Sequence, residues 1–336
     1  MNFSQRIVQW QQRHGRHDLP WQQAADPELK PYHVWLSEIM LQQTQVVKVI
    51  EYFDRFISAL PTLADLAKAE EQQVLALWSG LGYYNRARYL HRTAQICVAD
   101  HAGQLPQSLD ELVALPGIGR STAAAILSLA FAQPEPIMDG NVKRVFARHF
   151  LVAGEPNHSQ TLKQLWSLAD EYKELDHPAA YTQGLMDLGA TLCTKHRPQC
   201  GRCPVQATCQ AHAQDCVAAY PAKKKRVKQQ TIELHGALIE RDGRLLLQQR
   251  GADGIWPNLW FLPTHSQATA IQAQHPEARH LFSLTHKLTH RIVHIHVYRV
   301  AKPESPADLT WVHRDELNNW PHPKALNHLL EQHDNH

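Results

Sequence analysis

The chain has no stretch long and apolar enough to cross a membrane. Its longest largely apolar run, Ala123 to Ala132, is about half the ~20 residues a spanning helix needs. It also has little excess charge. The 34 Lys and Arg against 32 Asp and Glu leave only +2 with neutral histidines, so the overall balance does not announce a polyanion binder and local patches must carry any such argument. Cysteine is scarce, six in 336 residues. The polar Met1–Asp18 segment carries no secretory signal, so the thiols are expected free or as ligands rather than as disulfides. Internal repeats and low-complexity stretches are missing as well. The expectation is a soluble cytoplasmic protein of two or three domains, with enough apolar content at 43% to build sizeable cores.

Against that scarcity, four of the cysteines crowd together. Cys193, Cys200, Cys203 and Cys209 read C-x6-C-x2-C-x5-C, among Lys195, His196, Arg197 and Arg202. Four thiolates can surround one metal centre and fold a segment with little core of its own. Spacing alone leaves a tetrahedral zinc and an iron–sulfur cluster open. Either way the loop is basic and suits a polyanion. Cys97 sits in a helical pattern as a small core residue, and Cys216 is a bystander.

Residues 1 to 222 read as nearly all helix. Apolar residues recur at helical spacing in His33–Phe53, Leu63–Leu77, Tyr84–Val98, Leu109–Leu115, Ser121–Phe131 and Leu162–Tyr172. Residues 223–230 are a basic linker, either a solvated hinge or a phosphate contact. From residue 231 to 336 the period shortens to that of strands. Arg241-Asp242-Gly243-Arg244 is a hairpin signal, another strand runs over Arg291–Val300, and Asp315–Trp320 and Lys324–Leu330 are helical. This is a separate α+β domain. His290, His294 and His296 share one strand face, a pattern open to a metal site, a phosphate-facing edge or a plain half-exposed face.

Three sites carry candidate chemistry. Leu115-Pro116-Gly117-Ile118-Gly119-Arg120-Ser121 is a glycine hairpin leading into a helix. Its amides suit a phosphate and would grip DNA backbone without reading sequence. Glu38 shares a helical face with Leu41, Gln42 and Gln45, beside the apolar stripe of Trp35, Ile39, Val46, Val49 and Ile50. There it is either a solvent-facing carboxylate or a general acid of raised pKa. Asp139 precedes a helix, where it is either an N-cap or an anion opposite Glu38.

Taken together, the hairpin, Asp139 about twenty residues beyond it and the cysteine spacing resemble the helix-hairpin-helix DNA glycosylase superfamily with a [4Fe-4S] cluster. Trp35–Val46, Gly80-Leu81-Gly82-Tyr83-Tyr84 and Met138–Val145 narrow the resemblance to its A/G-specific adenine glycosylases, the MutY family. The resemblance implies an all-helical helix-hairpin-helix glycosylase domain over 1–222, with the cluster segment at 193–209. A C-terminal MutT-like (Nudix-like) α+β domain over 231–336 would recognise 8-oxoguanine.

What it implies for function is a monofunctional adenine DNA glycosylase of base excision repair. Such an enzyme is a hydrolase of the N-glycosyl bond of adenine mispaired with 8-oxoguanine or guanine in double-stranded DNA, here expected as a monomer. Cys193, Cys200, Cys203 and Cys209 would hold [4Fe-4S], mainly to shape the basic loop. Glu38 would protonate the extruded adenine, and Asp139, kept ionised, would stabilise the cationic sugar. Gln42 and Tyr83 would wedge into the base stack. Leu115, Gly117, Gly119 and Ser121 would lie against the DNA, and Leu19, Trp21 and Gln183 near the base pocket. Ser121 stands where the lyase relatives, such as endonuclease III, have a Schiff-base lysine, so strand cleavage is not expected. Leu288-Thr289-His290 aligns with the family's Phe-Ser-His lesion-reading loop and retains polar contacts through Thr289 and His290. The Nudix hydrolase signature is missing from Thr264–Phe282, where Glu277 stands alone.

Overall fold

The computed structural model describes residues 1–24, 26–222, 229–288, 290–301 and 309–335. Most of the basic linker, residues 223–228, and Thr289 of the expected lesion-reading loop lie outside the described residues. The chain divides into two compact units. One takes the described residues of Met1–Lys68 and Tyr89–Lys225, the other those of Ala69–Arg88 and Arg226–His336.

The helices run in order α1 (Phe3–His14), α2 (Lys30–Leu41), α3 (Val46–Ala59), α4 (Leu63–Lys68), α5 (Glu71–Leu77), α6 (Asn85–Asp100), α7 (Leu109–Ala114) and α8 (Arg120–Phe131). Then follow α9 (Gly140–His149), α10 (Ser159–Glu171), α11 (Pro178–Thr191) and the short α12 (Gln210–Ala213). Two long periodic stretches of the sequence prove to be two helices each. His33–Phe53 breaks after Leu41, where Gln43 takes φ +59° and the Thr44 amide closes a turn onto the Leu41 carbonyl at 3.2 Å. Leu63–Leu77 breaks between α4 and α5. The apolar period continues across both breaks because either helix of each pair buries its stripe; periodicity sees the stripe and not the turn.

The first unit packs α1, α9 and α11 around Phe3, Ile7, Val145, Phe146, Leu185 and Leu188, all buried. Gly189 permits the close approach of α11 to the start of α9, since a Cβ there would sit 2.5 Å from the Cβ of Asn141. In the second helix pair, α2 lies against α8. Trp35, Leu36, Ile39 and Met40 bury the α2 face, and a run of small residues, Ala123–Ala125, buries that of α8.

The C-terminal part contains β1 (Gln230–Leu238), β2 (Glu240–Arg241), β3 (Arg244–Gln249), β4 (Trp260–Phe261), β5 (Thr264–His265), α13 (Ala268–Gln274), β6 (Arg279–Lys287), β7 (Arg291–Arg299), β8 (Leu309–His313) and α14 (Lys324–Asp334). One sheet has the order β5-β1-β7-β6, with β1 and β7 parallel. In the other, β3 pairs with β2, β4 and β8. The expected Asp-Gly hairpin is present, with Asp242 at φ +50° and Gly243 at φ +71° between β2 and β3. Buried Val293, Ile295 and Val297 of β7 meet Ala325, Leu326 and Leu329 of α14. The alternate β7 residues His294 and His296 are partly exposed.

Candidate active site

Asp139 is the N-cap of α9. Its Oδ1 accepts the Val142 amide at 2.7 Å and its Oδ2 accepts the Asn141 side-chain amide at 3.3 Å. Both readings of Asp139 therefore describe the same carboxylate, because the cap bonds fix the group that faces the cleft. Glu38 projects from the last turn of α2, whose buried residues leave it no rotational freedom about the helix axis. The two carboxyl groups line one open cleft of about 340 Å³, shared with Leu19, Trp21, Gln42, Ser121 and Gln183. The helical face that spacing assigned to Glu38, Leu41, Gln42 and Gln45 ends at Leu41. Gln42 reaches the cleft from the turn instead, with Nε2 donating to the Thr122 hydroxyl at 3.4 Å, while Gln45 is not part of the lining.

Burial raises the Glu38 carboxyl to about 8, and the negative charge of Asp139 adds to the shift. Burial also raises Asp139, but the Val142 and Asn141 amides and the Arg144 charge oppose the rise. The two acids thus differ in environment: one is desolvated and faces an anion, the other is hydrogen-bonded by amides. Glu38 is thereby held protonated near neutral pH, while amides and a cation oppose the rise at Asp139.

Contacts that periodicity did not single out hold the cleft residues in place. The fully buried Asp187 carboxylate pairs with Arg16, Oδ1 to Nη2 at 2.6 Å, and accepts the Arg16 amide at 2.8 Å. It also accepts Gln183 Nε2 at 2.8 Å, which turns the Gln183 carbonyl oxygen away from Asp187. Ser121 Oγ accepts the Met138 amide at 3.0 Å and so ties the start of α8 to the strand-like residues before Asp139. Arg144 donates to Asn141 Oδ1, Gly189 O and Cys193 O at 2.7–2.8 Å. It joins the Asp139 cap to the cysteine loop. The Arg16–Asp187 and Arg144–Gly189 partners lie 171 and 45 residues apart, beyond any local pattern.

Residues 36–171 match the HhH-GPD superfamily of base excision DNA repair proteins, and residues 235–332 match the NUDIX domain. An adenine DNA glycosylase of Buchnera aphidicola subsp. Acyrthosiphon pisum is 36% identical over 309 residues, covering 90% of this chain and 87% of its own length. The chain belongs to the adenine DNA glycosylase family. The adenine DNA glycosylase of Mus musculus is 31% identical, with 99% of this chain and 78% of its own length aligned. Among solved structures, a thermostable thymine-DNA glycosylase superposes with a TM-score of 0.55 at 27% identity, over 63% of this chain and 95% of that one.

The 115–121 hairpin turns at its first glycine. Gly117 takes φ +75°, and a Cβ there would meet the Tyr89 Cβ at 2.8 Å. Gly119 caps α8 with no side-chain bond. The Leu115 side chain is buried, and its backbone closes the turn, the amide donating to Leu112 O at 3.1 Å and the carbonyl accepting the Ile118 amide at 3.3 Å. Arg120 stacks over Trp166 at 4.0 Å and pairs with Asp170 at 3.6 Å. Tyr83, half exposed, belongs to the second unit.

Cys193, Cys200, Cys203 and Cys209 are free thiols that line one cavity with Val145, His149 and Leu192. Glycosylases of this type typically carry an iron–sulfur cluster. The residues fit one: four soft donors face a common space. Desolvation leads the rise of the bare Cys200, Cys203 and Cys209 thiols, and the neighbouring thiols add to it, a burden that a cationic centre relieves. Buried Arg148 closes the loop, donating to Cys193 Sγ at 3.3 Å and to the carbonyls of Thr194 and Tyr220 at 2.8 and 2.9 Å. Cys216 is not part of that lining, and Cys97 is buried in α6, as expected of both.

In the NUDIX-type domain, α13 reads Ala-Thr-Ala-Ile-Gln-Ala-Gln and carries no acid. Leu288 packs against the domain core and its carbonyl accepts Gln229 Nε2 at 3.0 Å, while His290 is exposed. His294 bonds Thr285, and His296 bonds Ser283 and Glu233. Among the described residues no three or more His, Cys, Asp or Glu side chains, the four cysteines included, are arranged to hold a single metal ion.

Proposed function

We propose that this protein removes adenine from A:8-oxoguanine and A:G mispairs in duplex DNA by hydrolysing the N-glycosyl bond, without cutting the strand. The observation that carries the reading is the pairing in one cleft of a Glu38 held protonated near neutrality with an Asp139 capped by amides. An adenine inside a duplex is unreachable, so the nucleotide is flipped into the cleft, at a cost of about a few kcal/mol that is least at a mismatch. Gln42 and Tyr83 fill the gap in the stack. Leu19, Trp21 and Gln183 line the pocket, and the Gln183 oxygen turned away from Asp187 offers an acceptor to the adenine amine.

Glu38 then donates its proton to a nitrogen of adenine's five-membered ring. The C1′–N9 bond breaks with its electron pair going to the base, and the base departs neutral. Asp139 stabilises the cationic sugar, and water supplies the oxygen that replaces the base. General-acid catalysis of this kind contributes about 10²–10⁴-fold. In the hairpin, Gly117, Gly119 and Ser121 offer backbone and hydroxyl groups to phosphate, and Leu115 anchors the turn against the DNA.

Cys193, Cys200, Cys203 and Cys209 would hold a [4Fe-4S] cluster, which when bound supplies a rigid support for the basic loop. The acid-free α13 argues against nucleotide hydrolysis by the C-terminal domain. It favours lesion recognition there, with Thr289 and His290 as polar contacts. We further propose that the protein acts as an intracellular monomer. Among the described residues no helix is long and apolar enough to cross a membrane.

The test is single-turnover adenine release from duplexes carrying A opposite 8-oxoguanine, G or T. Fast release from the first two and little from the third supports the reading. Equal release from all three removes the mispair specificity, and none from any removes the activity.

A further inference from the structure

The turn that carries Tyr83 has three residues at positive φ: Gly80 and Gly82, at +93° and +76°, adopt it readily, whereas Tyr83, at +52°, does so at a cost. Such a conformation persists only where its surroundings over-determine it. Part of the support is local. The Trp78 indole and the Arg86 guanidinium each donate to the Gly82 carbonyl at 3.1 Å, and Arg86 lies 5.5 Å from the Tyr83 ring.

The rest comes from far along the chain, inside the same compact unit. The Tyr84 hydroxyl accepts the Gly80 amide at 3.3 Å and donates to the His322 carbonyl at 2.5 Å. His322 is itself buried and fixed by Trp320 O and Asn327 Oδ1 at 2.7 and 2.6 Å. Arg88 Nη2 donates to the Pro257 carbonyl at 2.9 Å, and α5 packs on the 3-10 turn Arg314–Asn319. The hydroxyl of Tyr84 is therefore a bridge with one end on the turn and the other on the NUDIX-type domain.

We propose that Tyr84 is a positioning residue through which the C-terminal domain sets the Gly80–Tyr84 turn and aims Tyr83 at the base stack. This rests on the reading of Tyr83 as a wedge. It gives the C-terminal domain a second task beyond contacting the lesion: it sets the conformation of the residue that opens the helix beside it. Arg88 is the second fastening.

The experiment is a double-mutant cycle on the full chain, with Tyr84→Phe, Tyr83→Ala and the pair. It reads single-turnover adenine release from 8-oxoguanine:A and G:A duplexes and the fluorescence of 2-aminopurine beside the mispair. Tyr84→Phe is expected to lower the preference for 8-oxoguanine:A by about three- to tenfold, the size of one hydrogen bond. It should weaken the unstacking signal and leave affinity for undamaged duplex unchanged. The pair should be no worse than Tyr83→Ala alone, since both act through one side chain. Additive losses, or a Tyr84→Phe protein with full preference and full unstacking signal, overturn the proposal. If Tyr83→Ala itself changes nothing, the wedge reading fails instead and the proposal falls with it. Should Tyr84→Phe unfold the protein, Arg88→Leu replaces it in the same cycle with the same expected outcomes.

Discussion

The charge of Asp139 reaches Glu38 across the cleft and adds to the burial that holds the Glu38 proton. Asp139 is also raised by burial, but the Val142 and Asn141 amides and Arg144 oppose that rise. The division of labour between two chemically similar groups is thus set by what surrounds each.

The pair predicts a bell-shaped pH profile for adenine release. The alkaline limb should fall as pH rises through about 8, where Glu38 loses its proton. The acid limb should fall as pH drops through the pKa of Asp139, above its ordinary value. Glu38→Gln should abolish release while retaining mispair binding. Because the folded-state pKa of Glu38 is raised, its contribution to stability is present at low pH and is lost as pH rises from about 4.5 to 8. Glu38→Gln should therefore be the more stable protein at pH 8.5, by at most a few kcal/mol at about 1.4 kcal/mol per pKa unit, with the gap closing at pH 4. Denaturant titrations at the two pH values check this.

Ser121 offers a hydroxyl where a Schiff base needs an amine. Borohydride should trap no covalent adduct with this protein through that position, and the product strand should stay intact until alkali is added. Ser121→Lys places a primary amine in the cleft and should yield a trapped adduct. An adduct of equal yield from both proteins would assign strand cleavage to another amine.

Arg16 and Asp187 form an ion pair with one partner fully buried. Removing Arg16 leaves Asp187 uncompensated, and Arg16→Ala should cost about 3 kcal/mol, the low end for a broken buried pair because Arg16 is partly exposed. Asp187→Asn/Arg16→Leu should recover part of the loss. Chemical denaturation reads both. Adenine release should fall in step with the lost orientation of Gln183.

The two hairpin glycines should differ. Gly117→Ala forces a Cβ to 2.8 Å from Tyr89 at φ +75°, and should cost about 1–3 kcal/mol together with DNA affinity. Gly119→Ala meets open space at φ −90° and should cost little stability. In the native chain log affinity should fall with log salt by about 0.9 per neutralised phosphate. Gly117→Ala should flatten that slope if its turn grips the backbone.

The candidate site was legible wherever a short segment carries its own chemistry. Glu38 on its helix, the 115–121 hairpin and the cysteine spacing each stood out within twenty residues, though spacing alone left their roles open and the family resemblance chose among them; the Asp242-Gly243 turn forms where its sequence asks for it. Partners brought together by folding were silent. Arg16 and Asp187 are 171 residues apart, and neither has a neighbour that hints at the other. Nothing local to Arg148 shows that its buried guanidinium meets the carbonyls of the cysteine loop. The breaks after Leu41 and Lys68 also escaped, because one apolar stripe serves two consecutive helices.

The sequence alone determined which residue types stand ready: an acid with an apolar belt, a second acid before a helix, a serine in place of a lysine, four clustered thiols. Those are properties of local spacing, which covalent geometry preserves. Only the tertiary structure decided that burial and the Asp139 charge lift Glu38 to about 8 while amides oppose the rise at Asp139, and that the Tyr83 turn leans on the carbonyl of His322. Desolvation, long-range charge and hydrogen bonds between distant segments exist only once the chain has closed on itself.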